Sequence, residues 1–202
     1  MKRCDNIAAF VLAGGASKRM GRNKALLELD GLPMVIRMAR LAEPHVASVT
    51  VVGPPEQYAS LGLSVVPDRW VGIGPLGGIT TALTGSSADW NLILGCDLPL
   101  ITTKWIEWLI ARALESPAQA VVPESRRGLE PLAAIYRKDC GLAFATALKL
   151  GVRRVSEALG EISFEKVTAS EWQALGSTDM LFHNVNEPEE FTEAQHRIIK
   201  QR

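Results

Sequence analysis

A glycine turn followed by three cations is the part of the sequence whose residue types point most directly to chemistry. Gly14 and Gly15 follow a short apolar run, and Lys18, Arg19 and Lys24 come soon after them. Because glycine has no Cβ, its backbone N–H groups can approach a ligand closely. Backbone donors beside clustered positive charge suit a polyphosphate. A solvated loop with its basic residues in water is the simpler alternative, but the density of cations at one turn favours a phosphate-binding loop.

Asp97 is the second residue whose position points to chemistry. It follows the apolar run 90–94, which has the pattern of a buried strand. Open parallel sheets bind their ligands at the carboxyl ends of the strands. An aspartate at a strand end is often only a turn former or a helix cap. Beside a phosphate-binding loop, however, Mg²⁺ needs only one or two carboxylates, because phosphates and waters complete its octahedron. The sequence therefore predicts a Mg²⁺ site at Asp97.

The elements that must position these residues are short apolar strands alternating with amphipathic helices. Strands are expected at 7–11, 48–52, 63–66, 90–94, 120–123, 132–136 and 165–168. Helices are expected at about 33–41, 74–85, 102–112 and 139–150, with a last one after 188. This alternation predicts a single α/β domain of three layers, Rossmann-like and doubly wound, with a mostly parallel sheet covered on both faces.

Composition excludes several other classes of protein. The chain has 202 residues, of which 47% are hydrophobic and 22% charged, as expected for one domain with a substantial core. Its formal net charge is zero, which disfavours a protein that grips nucleic acid. No apolar run approaches the roughly 20 residues of a membrane span. The three cysteines show neither disulfide nor zinc spacing, so we expect a cytoplasmic protein.

The opening stretch resembles the signature of the molybdenum cofactor guanylyltransferases, which belong with the sugar-nucleotide pyrophosphorylases to a wider nucleotidyltransferase group. The family opens with Leu-Ala-Gly-Gly, then Arg-Met-Gly and a lysine. This chain has all three parts, in Leu12, Ala13, Gly14, Gly15, Arg19, Met20, Gly21 and Lys24. The segment 96–99 is similar to the family's Cys-Asp-x-Pro, in which the aspartate holds the metal. Asp68, before the Gly-Pro-Leu-Gly-Gly of 74–78, matches an aspartate of the family's nucleotide pocket.

The second half carries two weaker matches. Arg153 and Arg154 follow a predicted helix end, where such a pair is usually solvated, although arginine forks also clamp phosphate. The family has a similar pair, attributed to the phosphate of the pterin substrate. Asn184 and Asn186 resemble the family's Asn-x-Asn-Thr-Pro-Glu ending, and their amides could hydrogen-bond a pterin or a metal-bound phosphate. Turn residues before a helix are the simpler interpretation of both asparagines.

The reaction implied by the resemblance is nucleotidyl transfer that uses GTP, Mg²⁺ and molybdenum-molybdopterin. The terminal phosphate of molybdopterin attacks the α-phosphorus of GTP and expels pyrophosphate. A phosphate monoester has its second pKa near 6, so this nucleophile needs no general base. Arg19 and the amides of Gly14 and Gly15 would bind the pyrophosphate, Lys24 the α-phosphate, and Asp97 the metal.

The resemblance also implies a division of the chain and its partners. About 1–100 would form the nucleotide-binding half and about 101–202 the pterin half. Proteins that deliver molybdopterin, or that are associated with molybdoenzymes, would be its protein partners.

Two other functions stay open at this point. A cytidylyl- or sugar-phosphate nucleotidyltransferase is the nearest alternative, but pterin cytidylyl enzymes typically have alanine where this chain has Gly14. A non-catalytic nucleotide-binding adaptor that delivers the cofactor would not need both Lys24 and Asp97. The chain departs from the family in two places, with Gly53 for the usual asparagine and Glu130 for the usual histidine. The first departure affects how guanine is recognised, and the second affects the structure of the pterin pocket.

Overall fold

One mixed, mostly parallel sheet of eight strands forms the centre of the fold in the computed structural model, which describes residues 4–14, 23–174 and 178–200. The strand order is β10-β7-β9-β6-β1-β4-β5, and β8 pairs with β7. The strands of this sheet are β1 (Cys4–Leu12), β4 (Val46–Val52), β5 (Ser64–Val66), β6 (Trp90–Gly95), β7 (Ala120–Ser125), β8 (Gly128–Leu129), β9 (Ala133–Arg137) and β10 (Phe164–Val167). A separate hairpin consists of β2 (Glu28–Leu29) and β3 (Leu32–Pro33).

The strands that carry the site run in one direction. β1 pairs in parallel with both β4 and β6, and β4 pairs in parallel with β5. Their carboxyl ends therefore meet at one edge of the sheet, as the sequence predicted. β9 is antiparallel to β6 and to β7, which is why the sheet is mixed. All six residues of β6 are buried, in keeping with a strand covered on both faces.

Helices cover both faces, and two apolar cores lie between them and the sheet. The helices are α1 (Met34–Ala42), α2 (Pro55–Tyr58), α3 (Pro75–Gly85), α4 (Thr103–Glu115), α5 (Cys140–Lys149), α6 (Val155–Ala158), α7 (Ala169–Gln173) and α8 (Pro188–Lys200). α1 and α4 pack into one core, and α3 and α5 into the other. The three-layer, doubly wound fold is thus confirmed. Among the described residues, no helix is both long and apolar enough to cross a membrane.

Local sequence explains where several elements begin and turn. Asp30 and Gly31 both have positive φ, at 56° and 74°, which gives β2 and β3 the two-residue turn that an Asp-Gly pair favours. Thr102 caps α4, where its hydroxyl accepts a hydrogen bond from the Trp105 backbone N–H. Trp105 is fully buried, so it packs in the core as expected for its position on the apolar stripe of the helix.

The C-terminal segment is fixed to the core by aromatic packing. Phe182 is 1% exposed and meets Trp105 and Trp172 edge to face, with both pairs of ring centroids 5.3 Å apart. Just beyond it, the Val185 backbone N–H donates to the Asp97 carbonyl at 2.8 Å. α8 then packs Ala194 and Ile198 into a third, smaller core. The last part of the chain is thereby held beside the carboxyl end of β6.

We expect Phe182→Ala to lower the free energy of unfolding by about 3–5 kcal/mol, because it leaves a cavity between two buried indoles. Urea denaturation followed by circular dichroism measures this loss. Leu114→Ala, at a position 58% exposed, is the matched control and should change stability by less than about 0.5 kcal/mol. An equal effect of the two substitutions would show that Phe182 does not anchor the C-terminal segment.

Candidate active site

The candidate site is a crevice at the carboxyl ends of β1, β4, β5 and β6. It contains two adjoining cavities, one of about 250 Å³ and one of about 650 Å³. Gly14, Asp68 and Gly74 line both of them. Six of the residues predicted for nucleotide binding or catalysis line the smaller cavity: Leu12, Ala13, Gly14, Lys24, Asp68 and Asp97. Gly15 and Arg19, together with Lys18, lie outside the described residues, so their assignment stays a prediction.

Lys24, Asp97 and Asn186 meet at the smaller cavity. The Lys24 ammonium donates to Asp97 Oδ2 at 2.7 Å and to Asn186 Oδ1 at 2.9 Å. The Lys24 and Asp97 side chains are only 17% and 15% exposed. Because water screens a partly buried pair less than a surface pair, this contact is stronger than an exposed salt bridge. Two residues that sequence reasoning assigned to different halves of the chain are thereby joined to one cation.

Close packing fixes the Asp97 carboxylate. A Cβ placed on Gly95 would lie 2.6 Å from Asp97 Oδ1, so the strand end leaves room for this carboxylate only because residue 95 is glycine. The Leu98 N–H donates to the Gly95 carbonyl at 3.3 Å and closes the turn. Pro99 follows and stiffens the chain. The Asp97 carboxylate is thus held against the end of β6, with its other oxygen on Lys24.

The oxygen donors near Asp97 fit a Mg²⁺ ion that also binds phosphate. In the part of the chain that the structure describes, no three His, Cys, Asp or Glu residues cluster as a metal cage. Asn184 Oδ1 is buried and has no hydrogen-bond partner among the described residues, and the backbone N–H of its neighbour Val185 donates to the Asp97 carbonyl. The Asp97 carboxylate, with an unsatisfied amide oxygen on the segment that is hydrogen-bonded to the Asp97 backbone, is a hard and incomplete set of donors. Mg²⁺ accepts such a set when phosphates and waters supply the other ligands.

Asp68 is held in place by its own turn and by α3. Its Oδ1 accepts hydrogen bonds from the Trp70 backbone N–H at 2.9 Å and from Thr81 Oγ1 at 2.8 Å. Gly74, at a φ of +88°, leads into α3 directly beside it. Asp68 therefore has a turn-forming role in this structure. This role coexists with a place in the wall of both cavities.

A polar network between Asn23 and α2 fixes the rim of the crevice, and sequence reasoning missed it. The Asn23 amide donates to Gln57 Oε1 and, at 2.9 Å, to the Tyr58 hydroxyl. The Tyr58 hydroxyl in turn donates to the Ala13 carbonyl at 2.8 Å. Asn23 also caps the short turn at Lys24 by accepting from the Ala25 N–H. An asparagine directly before the lysine was the one available signal, since asparagine is a preferred cap.

Residues of the second half form two polar pairs, and one of them contains Glu130, which is electrostatically coupled to Asp97. The Ser125 hydroxyl donates to Glu130 Oε1 at 2.6 Å, and Arg127 lies 3.1 Å from His183 Nδ1. Burial raises the pKa of Glu130, the hydrogen bond from Ser125 and the charge of Arg127 lower it, and the charge of Asp97 raises it. Glu130, which replaces the histidine of the resemblance, is therefore within electrostatic reach of Asp97.

Arg153 and Arg154 have local partners away from these contacts. Arg153 donates to the Leu148 and Val152 carbonyls at 3.0 and 2.9 Å and so caps the end of α5. Arg154 is exposed and lies 3.9 Å from Glu157. Neither arginine lines the two cavities. Their assignment to the pterin phosphate stays a prediction.

Comparison with known proteins shows the family to which the chain belongs. The model of the MobA-like NTP transferase domain matches residues 9–162. A relative from Pelotomaculum thermopropionicum, named probable molybdenum cofactor guanylyltransferase, is 33% identical over 92% of this chain and 90% of its own length. A relative of the same name from Synechococcus elongatus is 34% identical over 84% of this chain and 98% of its own. The chain belongs to the MobA-like NTP transferase family.

Solved structures agree with this membership at the level of fold. Molybdopterin-guanine dinucleotide biosynthesis protein A from Archaeoglobus fulgidus has a TM-score of 0.83 at 21% identity and covers 96% of this chain and 99% of that one. A CMP:2-keto-3-deoxy-manno-octonic acid synthetase has a TM-score of 0.72 at 14% identity, with 98% and 100% covered. This MobA-like chain therefore shares its fold with both of these proteins. It is a nucleotidyltransferase, as the opening motif indicated.

We expect Cys96 of this MobA-like enzyme to be chemically inert in the folded state, although it lines the smaller cavity. Burial, with the charge of Asp97 as a second cause, raises the pKa of this thiol to about 12. The thiolate is the reactive form, and a thiol with this pKa stays protonated at about neutral pH. Alkylation of Cys96 by iodoacetamide should therefore be slow. Mass spectrometry of the Cys96 peptide, in native protein and in urea, measures the rate. An alkylation rate in native protein equal to that in urea would contradict the buried, protonated thiol. Cys96 would then become a candidate nucleophile.

Proposed function

We propose that this enzyme transfers GMP from GTP to the terminal phosphate of molybdenum-molybdopterin and releases pyrophosphate. The names of the relatives that match most of the chain support this substrate pair. The observation that carries the proposal is the contact of Lys24 with both Asp97 and Asn186. It joins the smaller cavity, which residues predicted to bind the nucleotide line, to the segment that the resemblance assigns to the pterin. An attacking phosphate and an α-phosphate must meet at such a junction.

We propose Mg²⁺ as the divalent metal of this reaction. Asp97 would hold it, and the unsatisfied amide oxygen of Asn184 lies on the neighbouring segment. When bound, the ion supplies charge that offsets the negative charge of the triphosphate as pyrophosphate leaves. The absence of a closed cage among the described residues agrees with an ion that arrives with its nucleotide.

In this mechanism the chain mainly positions charge. The Lys24 ammonium moves from Asp97 to the α-phosphate, where negative charge grows during the transfer. Asn186, released by Lys24, can hydrogen-bond the attacking phosphate. The glycine turn at Gly14 and Gly15 and the Arg19 guanidinium would bind the leaving pyrophosphate. The attacking phosphate monoester is largely ionised at neutral pH and therefore needs no general base.

The proposal divides the substrates between the two halves of the domain. About 1–100 would bind GTP and about 101–202 the pterin, with Arg153 and Arg154 assigned to its phosphate only by resemblance. Glu130, whose pKa responds to the charges of both Asp97 and Arg127, and Arg127 itself are further candidates for contact with the pterin. A cytoplasmic location and proteins that supply molybdopterin fit this activity. The cytidylyl and adaptor alternatives gain no support from a specific contact.

Transfer of label from α-³²P-GTP to molybdopterin tests the proposed function. We expect the label in a guanine dinucleotide product, with pyrophosphate released in equal amount. Lys24→Ala should lower kcat by about 10²–10³, because it removes one charge that stabilises the transition state. Lys149→Ala, which removes an exposed lysine at the end of α5, should leave kcat unchanged. Thermal unfolding of each variant verifies that it is folded.

Two results would contradict this account. If folded wild-type protein binds GTP but transfers no label to molybdopterin, the adaptor function replaces the transferase function. If Lys24→Ala transfers label at the rate of Lys149→Ala, the reaction does not depend on the Lys24 charge.

A further inference from the structure

The larger cavity lies where the base of a bound nucleotide must go, if the phosphates are bound as proposed above. Lys24 and Asp97 line only the smaller cavity, while Gly14, Asp68 and Gly74 line both. A nucleotide has its phosphates, ribose and base in a fixed order. With the phosphates at Lys24, the ribose therefore passes Asp68 and the base enters the larger cavity.

The walls of this larger cavity are mainly apolar. Pro54 and Pro55 form one side, and Pro67 and Val71 also line it. Val71 is 85% exposed, which is unusual for a large apolar side chain at the rim of a crevice. Flat apolar faces suit the two faces of a purine ring. They give affinity for any base and do not distinguish one base from another.

Glu56 is the polar group that can make this distinction. Among the described residues, Glu56 and Asp68 are the two charged ones that line the larger cavity. Asp68 Oδ1 already accepts two hydrogen bonds from its own turn and from α3. The Glu56 side chain, in contrast, is exposed, and among the described residues it has neither a hydrogen bond nor an ion pair. Its carboxylate is available to a ligand.

The position of Glu56 is fixed by its neighbours rather than by its own contacts. The next two residues, Gln57 and Tyr58, are tied to Asn23, and Tyr58 is tied also to Ala13. Residue 53 cannot supply a side chain to the base. A Cβ there would lie 2.9 Å from Tyr58 Cε2 and 3.3 Å from the Ala13 carbonyl oxygen. The same packing that excludes an asparagine at 53 thus holds the first turn of α2 at the cavity.

We propose that Glu56 selects guanine by accepting hydrogen bonds from its N1–H and its 2-amino group. An ionised carboxylate has two acceptor oxygens and no donor. Guanine presents two adjacent donors on its Watson–Crick edge. Adenine and cytosine present one amino group beside an acceptor nitrogen, and uracil presents one N–H between two carbonyls. Only guanine can therefore pair with both oxygens, which is how this chain would read guanine without the usual asparagine.

Replacing the acceptor by an amide should change the preferred base. Glu56→Gln keeps the size of the side chain but turns one acceptor into a donor, which faces the 2-carbonyl of xanthine instead of the 2-amino group of guanine. We expect its affinity for GTP to fall roughly 10- to 100-fold and its affinity for XTP to rise. Wild type should bind GTP more tightly than ITP, which lacks the 2-amino group, and more tightly than XTP, ATP or CTP.

Isothermal titration calorimetry with Mg²⁺ and these nucleotides, without any pterin, measures the selectivity. Glu161→Gln removes an exposed glutamate that lines neither cavity and should keep the wild-type order. Thermal unfolding without ligand verifies that Glu56→Gln folds like this control. Asp68→Asn tests the other carboxylate of the cavity and should not gain affinity for XTP.

Retention of GTP selectivity by Glu56→Gln overturns the inference, as does a gain of XTP binding by Asp68→Asn instead. A wild type that binds CTP as tightly as GTP overturns it together with the proposed substrate. Failure of transfer to molybdopterin, in contrast, would contradict only the proposed function, because guanine selectivity is measured without the second substrate.

Discussion

The contact on which the site depends is the one between Lys24 and Asp97, extended to Asn186. It ties the loop after β1, the end of β6 and the segment before α8 to a single ammonium group. Because the pair is largely shielded from water, loss of either charge leaves the other poorly compensated. In the proposed reaction, a nucleotide that enters with its metal would supply the missing charges of both signs. Lys24 can then exchange Asp97 for a phosphate without an unpaired charge remaining in the crevice.

Close backbone approach is what makes this arrangement possible at the sheet edge. Gly95 leaves room for the Asp97 carboxylate, and Gly53 leaves room for the Tyr58 ring against Ala13. Each glycine stands at the end of a parallel strand, where a Cβ would displace a neighbour that the crevice needs. Because this packing leaves no room for a side chain at residue 53, the base is recognised by Glu56 on α2 instead. In this chain, the close backbone packing at Gly53 therefore also positions the residue that selects the base.

The sequence allowed prediction of the features that local pattern controls. Apolar runs located the strands that carry the site, and parallel order implied that Lys24 and Asp97 would share one edge. The reversed direction of β9 could not be predicted, because an apolar run buried on both faces reads alike in either direction. The contact of Asn186 with Lys24 spans most of the chain and depends on Phe182 packing against two tryptophans. No local pattern encodes a contact of that kind.

The most direct test of the account is the position of a metal ion in the nucleotide complex. Crystals grown with Mn²⁺ and a GTP analogue that has a methylene group between its α- and β-phosphorus would give an anomalous signal for the metal. We expect one peak on the Asp97 carboxylate, with the Lys24 ammonium moved to the α-phosphate, and no such peak in Asp97→Asn. A peak that lies away from Asp97, or that survives in Asp97→Asn while Lys24 stays on residue 97, would contradict the central role of this pair.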